Sequence, residues 1–211
     1  MRAQIDPGWS GPTLVAAVLD TLSDKDVLVL GASNPIRDAD LAPISAHPPL
    51  VYANRGLAGI DGTIATACGV AAGLNRPVVG IVGDLTALHD ISSLALPALE
   101  RGVDLTLVVA DDRGGSIFAT MEYGAPHSQI GDLADWFERL FAVPMGVDLA
   151  EVARGFGVPV VPVSDVSELA AALANPGGIR IVHARLDRSD RAGADKRLAA
   201  SGRQAVRTVA G

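Results

Sequence analysis

The chain has few aromatic residues, a single cysteine and no apolar run of membrane-spanning length. Only 4% of its 211 residues are Phe, Trp or Tyr, although 49% are hydrophobic. The core must therefore consist of Ala, Val, Leu and Ile, which suits parallel strands covered by helices. The lone Cys68 excludes an intramolecular disulfide and fits a reducing cytoplasm. With neither a spanning segment nor a signal-peptide pattern, no membrane insertion is expected.

Positive charge is also in deficit. The chain has 17 Lys and Arg residues against 24 Asp and Glu residues, which gives a formal net charge of −7. Nucleic acids and anionic membranes attract basic surfaces. The charge balance therefore argues against both as partners.

Short apolar runs alternate with segments of helical period. The runs predict strands in an α/β fold: a three-layer sandwich with a mainly parallel six-stranded sheet and helices on both faces. We expect a linker or altered start over 1–10 and one domain over 11–186. Residues 187–211 are predicted to form a C-terminal tail, partly helical or frayed.

Two acidic turns mark the centre of the chain. The run Val78–Val82 ends in Gly83-Asp84, a helix is expected from about Leu85 to Leu99, and the run Leu105–Ala110 ends in Asp111-Asp112-Arg113-Gly114-Gly115. In a parallel sheet, both turns lie at the carboxyl edge, where open α/β sheets bind ligands. Paired carboxylates suit Mg²⁺, which takes its remaining ligands from water and phosphates. The simplest interpretation is a Mg²⁺–diphosphate site.

Two motifs extend this interpretation. The turns are similar to the thiamine diphosphate signature, usually Gly-Asp-Gly and then Asn-Asn, with Leu85 and Asp111-Asp112 as departures. Gly83–Asp90 and the block Asn54–Gly62 closely resemble the MenD family, the 2-succinyl-5-enolpyruvyl-6-hydroxy-3-cyclohexene-1-carboxylate synthases. The resemblance covers roughly residues 10 to 185. It matches only the C-terminal diphosphate-binding (PP) domain of proteins more than twice as long, so we expect a C-terminal domain, excised or encoded separately.

The resemblance implies thiamine diphosphate held by Mg²⁺, or Mn²⁺, at the acidic turns. Aligning the second turn on its glycines gives Asp84, Asp112 and the Gly114 carbonyl as metal ligands. Counting from Asp84 by the commonest spacing gives Asp111 and the Arg113 carbonyl instead. We favour the glycine alignment, because a length change in the preceding loop costs little. The cofactor-binding positions implied are Gly83, Asp84, Leu85, Gly114, Gly115 and Ile117.

The resemblance also implies substrate-binding residues: Ser33, Arg37, Arg55, Ile117 and Phe118. Arginine forms planar bidentate pairs with carboxylates, so Arg37 and Arg55 suit dicarboxylate substrates. The plainer alternatives are a connecting loop, surface arginines and core apolar residues. Asp61 is expected to cap the next helix, and His89 and Asp90 are expected to be ordinary helix positions.

By resemblance, the whole enzyme is a cytoplasmic, homo-oligomeric transferase of menaquinone biosynthesis. It decarboxylates 2-oxoglutarate and adds the succinyl-semialdehyde unit to isochorismate. The cofactor-activating glutamate of this family comes from the N-terminal pyrimidine-binding domain of a neighbouring subunit, so no catalytic residue is expected here and the isolated chain is predicted to be inactive. Two alternatives remain: the PP subunit of a split thiamine-dependent 2-oxo acid decarboxylase, and a non-catalytic association module.

Overall fold

Strands and helices alternate along the chain in a computed structural model that describes residues 8–54, 59–121, 124, 131–174, 177–188 and 191–210. The strands are β1 Val27–Leu30, β2 Leu50–Ala53, β3 Val78–Gly83, β4 Leu105–Asp111, β5 Val160–Val163 and β6 Ile179–Arg185. The helices are α1 Gly11–Thr21, α2 Asn34–Asp40, α3 Thr63–Leu74, α4 Asp84–His89, α5 Gly131–Phe137, α6 Leu149–Gly155, α7 Val166–Leu173 and α8 Arg191–Ala210. Two 3₁₀ turns, Ile91–Leu94 and Ser116–Thr120, and a π turn, Glu138–Ala142, complete the described elements.

The six strands form one parallel sheet in the order β2-β1-β3-β4-β6-β5. This confirms the predicted fold class. The chain runs from β1 outward to β2 and then crosses back to β3, so the direction of winding reverses between β1 and β3. Open α/β sheets bind ligands at the carboxyl end of such a reversal.

Helices cover both faces of the sheet with a core that is almost entirely aliphatic. In β1, Val27 and Val29 pack on the side of α3, while Leu28 and Leu30 pack on the side of α1 and α7. This alternation follows from the two-residue period of a strand. Each fully buried branched side chain stabilises the fold by about 1.5–3 kcal/mol, which fixes the register of the strands beneath the site.

The structure corrects three local predictions. The helix expected to run to Leu99 ends at His89, because the Asp90 carboxylate turns away to bind the backbone at the start of α3. The connecting loop given as the plainer alternative for Ser33 and Arg37 contains a helix, Asn34–Asp40. Asp61 is not the N-cap of α3; that position is Gly62, in the left-handed region at φ +65°.

The segment after β6 forms the twenty-residue helix α8. Its first residue, Arg191, pairs with Asp38 of α2, with Nη2–Oδ1 at 2.6 Å and Nη1–Oδ2 at 3.3 Å. Just before the helix, Arg188 pairs with Glu138 of the π turn. These contacts attach the start of α8 to elements around the carboxyl edge of the sheet.

Within the described part of the chain, no helix combines the length and the apolar character needed to cross a membrane.

Candidate functional site

Both acidic turns lie side by side at the carboxyl edge, as predicted. Strands β3 and β4 are adjacent and parallel, with Gly83 paired to Ala110, so the turns leave the sheet at the same level. A cavity of about 210 Å³ opens there. Its wall includes residues from the turns after β1, β3 and β4, among them Ser33, Asn34, Gly83, Asp84, Leu85, Asp112, Gly114, Gly115, Ser116, Ile117 and Phe118.

Asp84 occupies the first position of α4 and joins the two turns. Its Oδ2 accepts a hydrogen bond from the Gly114 N–H at 2.7 Å. Burial and the nearby Asp112 carboxylate raise the pKa of Asp84 to about 7, although N–H groups of Leu85 and Gly114 oppose the shift. An anion here is thus poorly compensated by the protein, and a cation in the cavity would relieve it.

Asp112 lines the same cavity, and a short chain of hydrogen bonds holds its carboxylate. The Asn34 amide donates to Ser116 Oγ at 2.7 Å, and the Ser116 hydroxyl donates to Asp112 Oδ2. Burial raises the pKa of Asp112, while Ser116 and the positive charges of Arg188 and Arg191 act in the other direction. Ser116, in the 3₁₀ turn after β4, and Asn34, at the start of α2, therefore orient Asp112.

Asp111 does not line the cavity and points towards β6. It is 7% exposed, and its carboxylate accepts hydrogen bonds from His183 Nε2 at 2.7 Å and from the Arg113 N–H at 3.0 Å. Burial favours the neutral form, but these bonds and Arg185 outweigh it and lower the pKa of Asp111. Consecutive residues at the end of a strand point to opposite sides, which separates the two aspartates.

The glycines of the two turns have different reasons to be glycine. Gly83 lines the cavity, and a Cβ there would have no atom within 4 Å, so the residue leaves room at the wall. Gly114 adopts φ +124°, and a Cβ on it would collide with the Ala142 carbonyl oxygen. A Cβ on Gly115 would lie 2.8 Å from the Phe141 carbonyl oxygen. The close approach of the π turn therefore requires glycine at positions 114 and 115.

Of the residues predicted to bind substrate, Ser33 lies in the cavity wall, at φ +74°. A non-glycine residue in that region stores about 1–3 kcal/mol of strain, which is common at functional sites. Arg37 is exposed and outside the wall, and its guanidinium donates to the Ser33 carbonyl at 2.7 Å. The prediction for Arg55 concerns a position outside the described residues.

Apolar side chains form another part of the wall. Leu85, Ile117 and Phe118 contribute to it, together with Ile60, which lies three residues before α3. Phe118 also packs on Phe141, with ring centroids 6.0 Å apart. The cavity thus has an acidic part and an apolar part, as a site for an amphipathic ligand requires.

Several cavity residues were not predicted, among them Asn34, Ser116, Asp38 and Arg191. Asn34 and Ser116 adjoin predicted positions, so their place in turns after strands was a usable signal. Asp38 and Arg191 also line the cavity and form its ion pair, with Asp38 2% exposed. No local pattern could pair residues so far apart in sequence.

The residues fit a magnesium–diphosphate group. Among the described residues, no three His, Cys, Asp or Glu side chains cluster around a single metal position. Two carboxylates, one backbone carbonyl, phosphate oxygens and water are nevertheless a usual donor set for Mg²⁺. The raised pKa values of Asp84 and Asp112 and the open space at Gly83 support this fit.

Comparison with known proteins then identifies the family. The sequence profile described as "Thiamine pyrophosphate enzyme, C-terminal TPP binding domain" matches residues 39–176. The chain belongs to this thiamine pyrophosphate enzyme family. The resemblance to the MenD synthases is confirmed as well.

Curated relatives are named 2-succinyl-5-enolpyruvyl-6-hydroxy-3-cyclohexene-1-carboxylate synthase. The protein of Rhodococcus erythropolis is 45% identical over 194 residues, which cover 90% of this chain and 35% of that protein. The protein of Paenarthrobacter aurescens is 46% identical over 183 residues, which cover 85% of this chain and 32% of that protein. The chain therefore spans about a third of the length of these relatives.

A solved structure shares the fold. The thiamine diphosphate-dependent 4-hydroxybenzoylformate decarboxylase of Rhodococcus jostii RHA1 superposes with a TM-score of 0.64 at 19% identity. The match covers 89% of this chain and 34% of that one. At this identity, the match supports the fold alone.

Proposed function

We propose that the chain is the diphosphate-binding part of a thiamine diphosphate- and Mg²⁺-dependent synthase of menaquinone biosynthesis. The reaction would be decarboxylation of 2-oxoglutarate and addition of the succinyl-semialdehyde unit to isochorismate. The observation that carries the proposal is that Asp84 and Asp112, from two neighbouring turns, line one cavity. The chain also matches the profile of the thiamine pyrophosphate enzyme family.

In this proposal, Asp84, Asp112 and the Gly114 carbonyl hold Mg²⁺, or Mn²⁺, on the diphosphate. Asp111 is the weaker candidate because His183 and the Arg113 N–H already occupy its carboxylate. The bound cofactor would supply the carbanion chemistry of 2-oxo acid decarboxylation.

The remaining roles fall to the chain's own side chains. Asn34 and Ser116 orient Asp112 through their hydrogen bonds. Leu85, Ile117 and Phe118 keep water from the apolar part of the cavity. Ser33, Arg37 and Arg55 are proposed substrate contacts, with the arginines binding substrate carboxylates. For Arg37, this requires its side chain to leave the Ser33 carbonyl.

The proposal also includes a partner. The glutamate that activates the cofactor would come from the pyrimidine-binding domain of a neighbouring subunit in a cytoplasmic homo-oligomer. The chain covers about a third of its relatives, which leaves room in them for such a domain. We therefore expect the 211-residue chain to bind cofactor weakly and to show no turnover by itself.

Calorimetric titration with thiamine diphosphate, with and without Mg²⁺, tests the site. We expect Mg²⁺-dependent binding that is lost in Asp84→Ala and kept in Asp20→Ala, a control at an exposed carboxylate on α1. Binding that ignores Mg²⁺, or survives in Asp84→Ala, would contradict the metal assignment. Turnover by the chain alone would contradict the need for a second domain.

The second candidate is the PP subunit of a split thiamine-dependent 2-oxo acid decarboxylase, which the match to the general thiamine pyrophosphate enzyme profile also allows. Combining the chain with a pyrimidine-binding domain separates the two. Product that requires isochorismate supports the synthase, whereas release of the aldehyde alone supports the decarboxylase. Failure to bind Mg²⁺ and thiamine diphosphate even in that combination would favour a non-catalytic association module.

A further inference from the structure

The end of α4 holds the beginning of α3 through a buried carboxylate. Asp90 is 9% exposed, and its Oδ2 accepts hydrogen bonds from the backbone N–H of Ile64 at 2.6 Å and of Ala65 at 3.0 Å. Its Oδ1 accepts a third bond from the Ser93 hydroxyl at 2.7 Å. The carboxylate thus satisfies donors that the first turn of a helix cannot satisfy internally.

Helix α3 has no capping side chain of its own. Its N-cap residue is Gly62, and no side-chain capping bond is present there. Asp90 supplies from another element the acceptor that a local Ser, Thr, Asp or Asn usually provides. The start of α3 therefore depends on the position of α4.

The segment that Asp90 holds reaches the cavity. Ile60 lies in the cavity wall, and the buried Thr63 hydroxyl donates to the Ile60 carbonyl at 3.4 Å. On the exposed side, His89 Nδ1 lies 3.3 Å from Asp61 Oδ1. Two consecutive residues at the end of α4 therefore contact the segment Ile60–Ala65.

We propose that Asp90 is a positioning residue that keeps the segment Ile60–Ala65 in register with the Asp84 turn. Helix α4 begins with Asp84 and is followed directly by Asp90, so one short element connects the acidic part of the cavity to the Ile60 side of its wall. The catalytic meaning of this connection rests on the proposed function. The structural connection does not.

Amide hydrogen exchange of the 211-residue chain tests the structural part. Loss of a capping acceptor weakens a helix end, so Asp90→Ala should speed exchange at Ile64 and Ala65 by about tenfold, which corresponds to about 1.4 kcal/mol. Asp90→Asn, which keeps one acceptor, should have a smaller effect. Ser93→Ala removes only the hydroxyl bond and is the matched control.

The pattern of exchange decides the outcome. Acceleration confined to the start of α3 supports the proposal. Unchanged exchange at Ile64 and Ala65, or equal acceleration in α1 and across the sheet, overturns it, since the latter would mean a general loss of stability.

A second measurement separates positioning from simple support of the fold. In the assembly with a pyrimidine-binding domain, Asp90→Ala should raise the KM for 2-oxoglutarate about tenfold, with the affinity for Mg²⁺–thiamine diphosphate within about twofold of wild type. Equal losses in both would overturn the positioning role. If the wild-type assembly binds no cofactor, the proposed function is wrong, and the exchange experiment still decides whether Asp90 holds α3.

Discussion

Asp111 and Asp112 are neighbours in sequence but belong to different regions of the molecule. Asp111 faces β6, and hydrogen bonds from His183 of that strand and from the Arg113 N–H lower its pKa despite burial. Asp112 faces the cavity, where burial raises its pKa and Ser116 is its hydrogen-bond partner. The protein compensates the charge of Asp111 more fully than that of Asp112, so burial alone does not distinguish the two environments.

The largest expected effect is on cofactor binding. Asp112→Ala removes a proposed metal ligand and should weaken Mg²⁺-dependent thiamine diphosphate binding by at least about 100-fold, since even residues behind the ligands are worth about 10–100-fold. Asp111→Asn should change the affinity by less than about threefold, because Asp111 does not line the cavity. Calorimetry of both variants checks the contrast, and the reverse result would exchange the roles of the two aspartates.

Asp112→Asn sharpens the same comparison. An amide is the usual residue of the family signature at this turn, and it adds no negative charge beside an anionic cofactor. We expect this variant to bind thiamine diphosphate still, and to need a lower Mg²⁺ concentration for half-maximal binding of the cofactor. Wild-type affinity that did not vary with Mg²⁺ concentration would contradict the underlying idea.

The next effect is on stability, where the loss of Asp111 should matter more than the loss of Asp112. Asp111→Ala leaves His183 and the Arg113 N–H without their acceptor and should lower the free energy of unfolding by about 1–3 kcal/mol. Asp112→Ala should cost the metal-free protein less than Asp111→Ala, because the lost bond from Ser116 is offset by the removal of a carboxylate whose charged form burial disfavours. Urea unfolding of the two variants measures this. Equal destabilisation by both would break the comparison.

The pKa shifts of Asp84 and Asp111 predict that the two residues affect the pH dependence of stability with opposite signs. The pKa of Asp84 is raised to about 7, so the metal-free folded state holds a proton that the unfolded state releases near pH 4. Stability should therefore fall as pH rises from about 4 to 7, by at most about 1.4 kcal/mol per pH unit for this group.

Asp111 behaves in the opposite way. With a lowered pKa, it stabilises the fold above the unfolded pKa, and this contribution is lost as pH falls through the lower folded value. Urea unfolding as a function of pH should show the Asp84 slope vanish in Asp84→Asn and the acid-side loss diminish in Asp111→Asn. A slope unchanged in Asp84→Asn would contradict its assignment.

The smallest effect concerns the orientation of Asp112. Ser116→Ala breaks the connection from Asn34 to Asp112 and should cost about 0.5–1.5 kcal/mol of stability. It should also weaken cofactor binding severalfold, with Ser93→Ala, in the 3₁₀ turn after α4, as a control for hydroxyl loss. No change in affinity would mean that the cavity orients Asp112 without Ser116.

Local pattern was sufficient for much of this protein. The aliphatic runs predicted the strands, and the parallel arrangement placed Gly83-Asp84 beside the second acidic turn. The caps Asp148 and Asp165 also obey local rules, since each accepts from the N–H three residues on. Helix α2 and the early end of α4 were mispredicted, because contacts distant in sequence, such as Asp90 with α3, outweigh propensity.

By itself, the sequence determined which residues are aliphatic, where strands end, and which two motifs tie the chain to its family. Only the tertiary structure decided which of two adjacent aspartates faces the cavity. It also paired Asp38 with Arg191 and joined Asp90 to the start of α3. The reason is physical: periodicity and capping act over a few residues, whereas the field and hydrogen bonds around a carboxylate come from whichever elements the fold brings against it.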